Sequence, residues 1–247
     1  MKKLISLCII ALLSTNILFA QATDDNEIKI EQEGDTLKLY IDQIGFGNKV
    51  GGDDASGGSP SNMSITGSGL EFDLDFLGNS NILFGPVVSD DSYYKLDFTG
   101  DSNKIDWNIG YIGSTDDSNI NFDVTGSSNQ FDLDQGYALS AERLNADLIL
   151  IGSSNIFDVD WESDDLTWDF EITGDSNNIN TLQKDGEQSL DFTLVGDSAD
   201  VDINQLSGTC VSGAGNTCSS PDANIVLDIE SDNAIIQINQ KDAANDS

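Results

Sequence analysis

The chain reads as an all-β protein, a two-sheet parallel β-solenoid of about nine strand-turn-strand coils with a 22-residue unit. Three observations predict this fold. A turn of the form Gly-[Asp/Ser]-Ser-Asn recurs at regular intervals, and strands of period two flank it at constant offsets. The extra residues of the longer units always fall at one position of the repeat.

The turns come first, because they set the frame. The turn glycines are Gly34, Gly78, Gly100, Gly126, Gly152, Gly174 and Gly196, with Ser231 filling the slot last. From Gly78 the spacings are 22, 26, 26, 22 and 22, then 35 to Ser231. Gly34 precedes Gly78 by 44, twice the unit, and Gly45 and Gly67 stand 11 residues inside those marks. Each coil is therefore two half-units of 11, and the Gly-rich stretch 46–60 reads as one degenerate coil.

Each half-unit carries one strand. Positions −6, −4 and −2 before the turn are apolar, as in Tyr94/Leu96/Phe98, Ile120/Phe122/Val124 and Trp168/Phe170/Ile172. Positions +5 and +7 are apolar as well, as in Ile105/Trp107, Phe131/Leu133 and Phe157/Val159. Trp107, Trp161 and Trp168 fall at such offsets and read as core. Alternate positions are mostly Asp, Asn, Lys or Thr. Successive strand residues point to opposite faces, so one face is apolar and the other acidic. A slip of one residue would bury the aspartates, which fixes the register. One hairpin of this kind cannot bury its apolar face, whereas a stack can. At about 4.8 Å per coil, nine coils give a rod roughly 40 Å long. An antiparallel sandwich of the same strands would not explain identical residue types at identical offsets. The insertions lie near 110–117, 136–143 and 207–222, always at the second corner, so one edge of the rod is constant and the other decorated.

Composition narrows the function. The chain has 247 residues, 44 Asp+Glu, 10 Lys+Arg and no His, for a net charge of −34. Such a surface argues against nucleic acid and against an anionic membrane face. Without His there is neither a histidine triad nor a His-based zinc site. Residues 1–22 show two lysines, an apolar stretch and Ala20-Gln21-Ala22, the pattern of a cleaved signal peptide. Residues 23–247 would then form the exported solenoid, secreted or at the cell surface, with no membrane insertion after cleavage. Cys210 and Cys218, in a Gly/Ser loop of an exported chain, read as a local disulfide, with a metal or redox pair as the alternative.

Two amide columns accompany the turns. Asn stands at +3 in Asn81, Asn103, Asn129, Asn155 and Asn177. Gln stands at +9 in Gln43, Gln135, Gln183, Gln205 and Gln240. Stacked amides can bond from coil to coil. For Asn a second reading stands beside it, service in the turn itself through left-handed geometry.

The stretch Gln43-Ile44-Gly45-Phe46-Gly47-Asn48-Lys49-Val50 resembles the curlin repeat, Ser-x5-Gln-x-Gly-x-Gly-Asn-x-Ala-x3-Gln. Ser92 and Ser118 match the leading serine of their units. The resemblance covers 28–240 and implies a curli-like amyloid fibre subunit, self-assembling end to end and serving adhesion and biofilm matrix. The chain departs from that pattern at the inner Gln of the first strand, where Phe98, Val124, Leu150, Ile172 and Leu194 stand instead.

Asp recurs at −3 (Asp75, Asp97, Asp123) and at +6 (Asp106, Asp132, Asp158). Stacked carboxylates could form a solvated face or hold divalent cations, calcium above all. No nucleophile–base pair, phosphate loop or cofactor motif is visible, so neither an enzyme nor a cofactor is expected. The rival to the fibre is a monomeric surface solenoid that binds calcium or glycan through its acidic face. The coils run almost to both ends of the exported chain with no capping helix in the pattern, which favours the fibre.

Overall fold

In the computed structural model the residues described are 27–51, 64–85, 87–109, 117–135, 143–163, 165–207 and 223–242. Residues 1–22, Cys210 and Cys218 lie outside them. Every element among them is a strand, and every pairing is parallel. The chain is an all-β, two-sheet parallel β-solenoid.

The first sheet follows a path of nine strands: Glu27–Lys29, Lys49–Gly51, Ile82–Phe84, Lys104–Ile109, Gln130–Gln135, Ile156–Glu162, Asn178–Asp185, Asp200–Ser207 and Ile235–Asp242. The short strands Glu31–Glu33, Ser64–Ser68 and Val87–Asp90 pair with one another beside its first members. The second sheet stacks Lys38–Ile44, Glu71–Leu77, Ser92–Thr99, Asp117–Thr125, Arg143–Ile151, Asp165–Thr173, Glu187–Val195 and Ala223–Glu230. The repeat offsets are the register: Phe131 pairs with Phe157, Asp132 with Asp158, and Phe170 with Phe192.

Alternation does the sorting. Strand Asp165–Thr173 is buried at every second residue and exposed at the others. The inward side chains meet in one continuous core that includes Trp107, Trp161 and Trp168. Phenyl rings form a chain along the rod. Phe76 stacks on Phe98 at 4.5 Å, and the series continues through Phe122, Phe131, Phe157, Phe170 and Phe192 with steps of 4.3 to 5.7 Å. Each such pair adds about 0.5–1.5 kcal/mol beyond area burial.

The N-terminal coils differ from the expected frame. Gly34 is a turn glycine, with φ +137°, but its N–H donates to Thr66 O and it stacks against Gly67. It therefore lies at the second corner, between strands Glu31–Glu33 and Lys38–Ile44. Gly45 is the residue that stacks on Gly78, 33 positions on. Gln43 moves with this frame. It sits in the second sheet beside Phe76, not in the Gln column of the first. The physical reason is the half-unit. An 11-residue slip exchanges the two corners while keeping the alternation, and the coil after Gly45 holds one extra half-unit between Lys49–Gly51 and Ser64–Ser68.

Three insertions fall between Ile109 and Asp117, Gln135 and Arg143, and Ser207 and Ala223. Each gap joins a first-sheet strand to a second-sheet strand, which is the second corner. The Gly-x-Ser-Asn corner never grows.

Candidate functional site

The constant corner is built from the backbone outward. Gly78, Gly100, Gly126, Gly152, Gly174 and Gly196 have φ between +136° and +147°. Each also stands over the carbonyl of the preceding turn glycine, so a Cβ at Gly152 would lie 1.8 Å from Gly126 O. Glycine is needed twice over, for its conformation and for this approach. Two positions later Ser80, Ser102, Ser128, Ser154, Ser176 and Ser198 take the left-handed conformation at φ near 60°.

With Ser in that role, Asn is released to point inward. Asn81, Asn103, Asn129, Asn155 and Asn177 are all buried. Oδ1 of each of Asn103, Asn129, Asn155 and Asn177 accepts the backbone N–H of the Asn one coil earlier, at 2.8–2.9 Å. The Nδ2 groups of Asn81, Asn103 and Asn177 close back on the carbonyl of their own turn glycine. Asn48 bonds to Asn81 and extends the column by one coil. The ladder and the turn are one device. It stops at Asn177, because Ala199 and then Ala234 take the +3 slot.

A second ladder runs beside it at +1, which sequence reasoning missed. The side-chain oxygens of Asn79, Asp101, Ser127, Ser153, Asp175 and Asp197 each accept the N–H of the +1 residue in the next coil, at 2.6–3.2 Å. The signal was present, since every +1 residue after Gly78 is Asp, Asn or Ser. The series ends on Asp232, whose N–H donates to Asp197.

The Gln column is partly joined. Gln240 Nε2 donates to Gln205 Oε1 at 2.8 Å, and Gln205 Nε2 donates to Gln183 Oε1 at 3.1 Å. Trp161 occupies the rung between Gln135 and Gln183, so Gln135 stands apart from that run.

The flanks are acidic. On the second sheet Asp75, Asp97 and Asp123 are in register, and Lys95 lies 3.0 Å from Asp73, 3.7 Å from Asp75 and 2.7 Å from Asp97. Hydrogen bonds to Asp97 and Asp73 hold the Lys95 ammonium above its usual range. On the first sheet Asp106, Asp132 and Asp158 are in register, beside Asp134 and Asp160. Asp134 is pushed up to about 7, first by burial and then by the Asp132 and Asp160 carboxylates. Asp106, Asp132 and Asp160 are raised as well, again first by burial. Among the described residues no group of three or more acidic, Cys or His side chains converges to hold a metal ion.

The C-terminal end of the core is open. Leu227, Ile229 and Ile238 are 36%, 37% and 45% exposed, whereas Phe192, Leu194 and Ile203, one coil earlier, are essentially sealed. At the other end Ile28, Ile30, Leu37 and Leu39 are only partly buried.

Comparisons of the chain with protein-family models, curated proteins and solved structures found no match.

Proposed function

We propose that the chain is the structural subunit of a secreted, curli-like amyloid fibre that serves cell adhesion and biofilm matrix. The observation that carries this reading is the uncovered last coil, whose inward residues Leu227, Ile229 and Ile238 reach solvent. A second copy offers the complement. Its first strand, Glu27–Lys29, would continue the first sheet beyond Ile235–Asp242. Open parallel strands present unpaired N–H and C=O groups that template this addition.

Charge opposes the union. A net charge of −34 makes copies repel, and the Asp columns would continue from one copy into the next. Apolar burial and backbone pairing favour assembly, while low pH, salt or divalent cations relieve the repulsion.

The test places charge on the exposed coil. The L227K/I238K chain keeps its sheet spectrum, because both residues already meet solvent, and electron microscopy finds no fibres. Fibres as abundant as those of the unaltered chain would remove the end-to-end reading.

A further inference from the structure

A trough runs along the second sheet beside the decorated corner. Three cavities, of about 330, 240 and 170 Å³, follow one another along the rod. The first two share Asp117 and Asn119, and the last two share Asp165 and Thr167, so they are one continuous depression. Its floor is a column of outward residues in unbroken register: Tyr93, Asn119, Asn145, Thr167, Ser189 and Asn224. These six residues carry no charge, although Glu71 follows Tyr93 in the same column, and they span about 24 Å at the strand spacing.

Carboxylates line both banks. Asp117, Asp165 and Glu187 stand on the corner side, each two positions before a floor residue. On the other side Asp147, Asp169 and Asp191 stand in register beside Asn145, Thr167 and Ser189. That column continues toward Tyr93 as Asn121 and Lys95, the latter already held by Asp73, Asp75 and Asp97. Arg143 is paired with Asp117.

We propose that the trough binds an extended polysaccharide bearing free amino groups. Amide and hydroxyl side chains repeated at the strand spacing can donate to and accept from sugar hydroxyls along a chain. Two carboxylate banks accept ammonium donors through charge-assisted bonds, and they repel an anionic polymer. Tyr93, 43% exposed at one end, offers a ring face to a sugar or its ammonium group. A peptide strand has no comparable fit. The floor is a sheet face whose backbone groups are already paired with neighbouring coils, so an added strand finds no partners there.

Binding here uses outward residues on the flank of the rod, none of them the inward Leu227, Ile229 or Ile238 of the open end, so it is read independently of assembly. The experiment is calorimetric titration of the chain with a glucosamine hexamer in mildly acidic buffer. Parallel titrations use the N-acetylated hexamer, hexalysine and a uronic acid hexamer. The glucosamine hexamer is expected to bind tightest and the uronic acid hexamer not at all. D165N/E187Q weakens binding about tenfold or more, and N145A/T167A weakens it as well. D158N/D202N, the same charge change on the opposite sheet, alters it less than about twofold. Equal losses in the two charge variants would mean diffuse attraction to an acidic rod and would overturn the site. Hexalysine binding as tightly as the sugar would overturn the polysaccharide, and absence of heat with every ligand would overturn both.

Discussion

Replacing Gly152 by Ala tests the constant corner at one atom. At φ +147° the added Cβ would stand 1.8 Å from Gly126 O and 2.6 Å from its carbonyl carbon. Both neighbours are backbone, so no side chain can swing away. The coil must move off its neighbour while alanine holds a φ that disfavours it. The unfavourable conformation costs about 1–2 kcal/mol. Separating the coils loosens two bonds, Gly126 N–H to Ile151 O and Gly152 N–H to Thr173 O, both 2.8 Å, at about 1 kcal/mol each. The sum is about 3–4 kcal/mol, which for a chain of this size lowers melting by about 6–16 °C. The comparison is S153A in the same turn. It removes one acceptor, from the Asp175 N–H at 2.9 Å, and should lower melting by only about 2–4 °C. Circular dichroism of both variants against the unaltered chain makes the measurement. A G152A chain that melts with S153A would refute the close stacking of turn glycines.

The remaining expectations concern charge, amides and the cysteine loop. Asp134, Asp106, Asp132 and Asp160 have folded-state carboxyls raised above their unfolded values, so between pH 4 and about 7 the folded chain holds more protons than the unfolded one. Stability therefore rises as pH falls through that window, and D134N flattens the dependence; melting that falls steadily from pH 7 to pH 5 would contradict the sign. Q205L leaves the Gln183 Oε1 buried without its 3.1 Å donor and costs about 1–3 kcal/mol. Changing Gln183, Gln205 and Gln240 to Leu together costs less than Q205L alone in urea titrations, since no amide is then orphaned. Cys210 and Cys218 are expected as a linked pair on mass mapping of exported chain, and removing both should leave the sheet spectrum intact.

Much of this was legible because stacking makes the sequence repeat itself. Phe131 and Phe157, or Asp132 and Asp158, recur at the same offset because they occupy the same place on successive coils. The frame was harder to read near the start. A half-unit of 11 lets Gly34 fit the Gly78 column by arithmetic, but the shape of the coil puts Gly45 there, and Gln43 shifts with it. Turn preference pointed to Asn as the left-handed residue. The structure gives that conformation to Ser in these turns and points Asn inward, where its buried Oδ1 accepts a backbone N–H one coil away. Uncapped ends were expected from the sequence, but the trough and the particular inward residues that reach solvent were beyond reach, since both depend on which alternate residues lose their neighbours. Leu227 follows the same pattern as Phe192 in sequence and differs only in what lies above it.

Fibre diffraction with electron microscopy of the chain, incubated across pH, salt and calcium, tests end-to-end stacking most directly. If copies add coil upon coil, rods should appear as pH falls toward 4 or as salt or calcium is added. Strands should then lie across the rod axis, with a 4.7–4.8 Å reflection along it. A chain that stays monodisperse in every condition, with no such reflection, would contradict the fibre and leave a monomeric solenoid in its place.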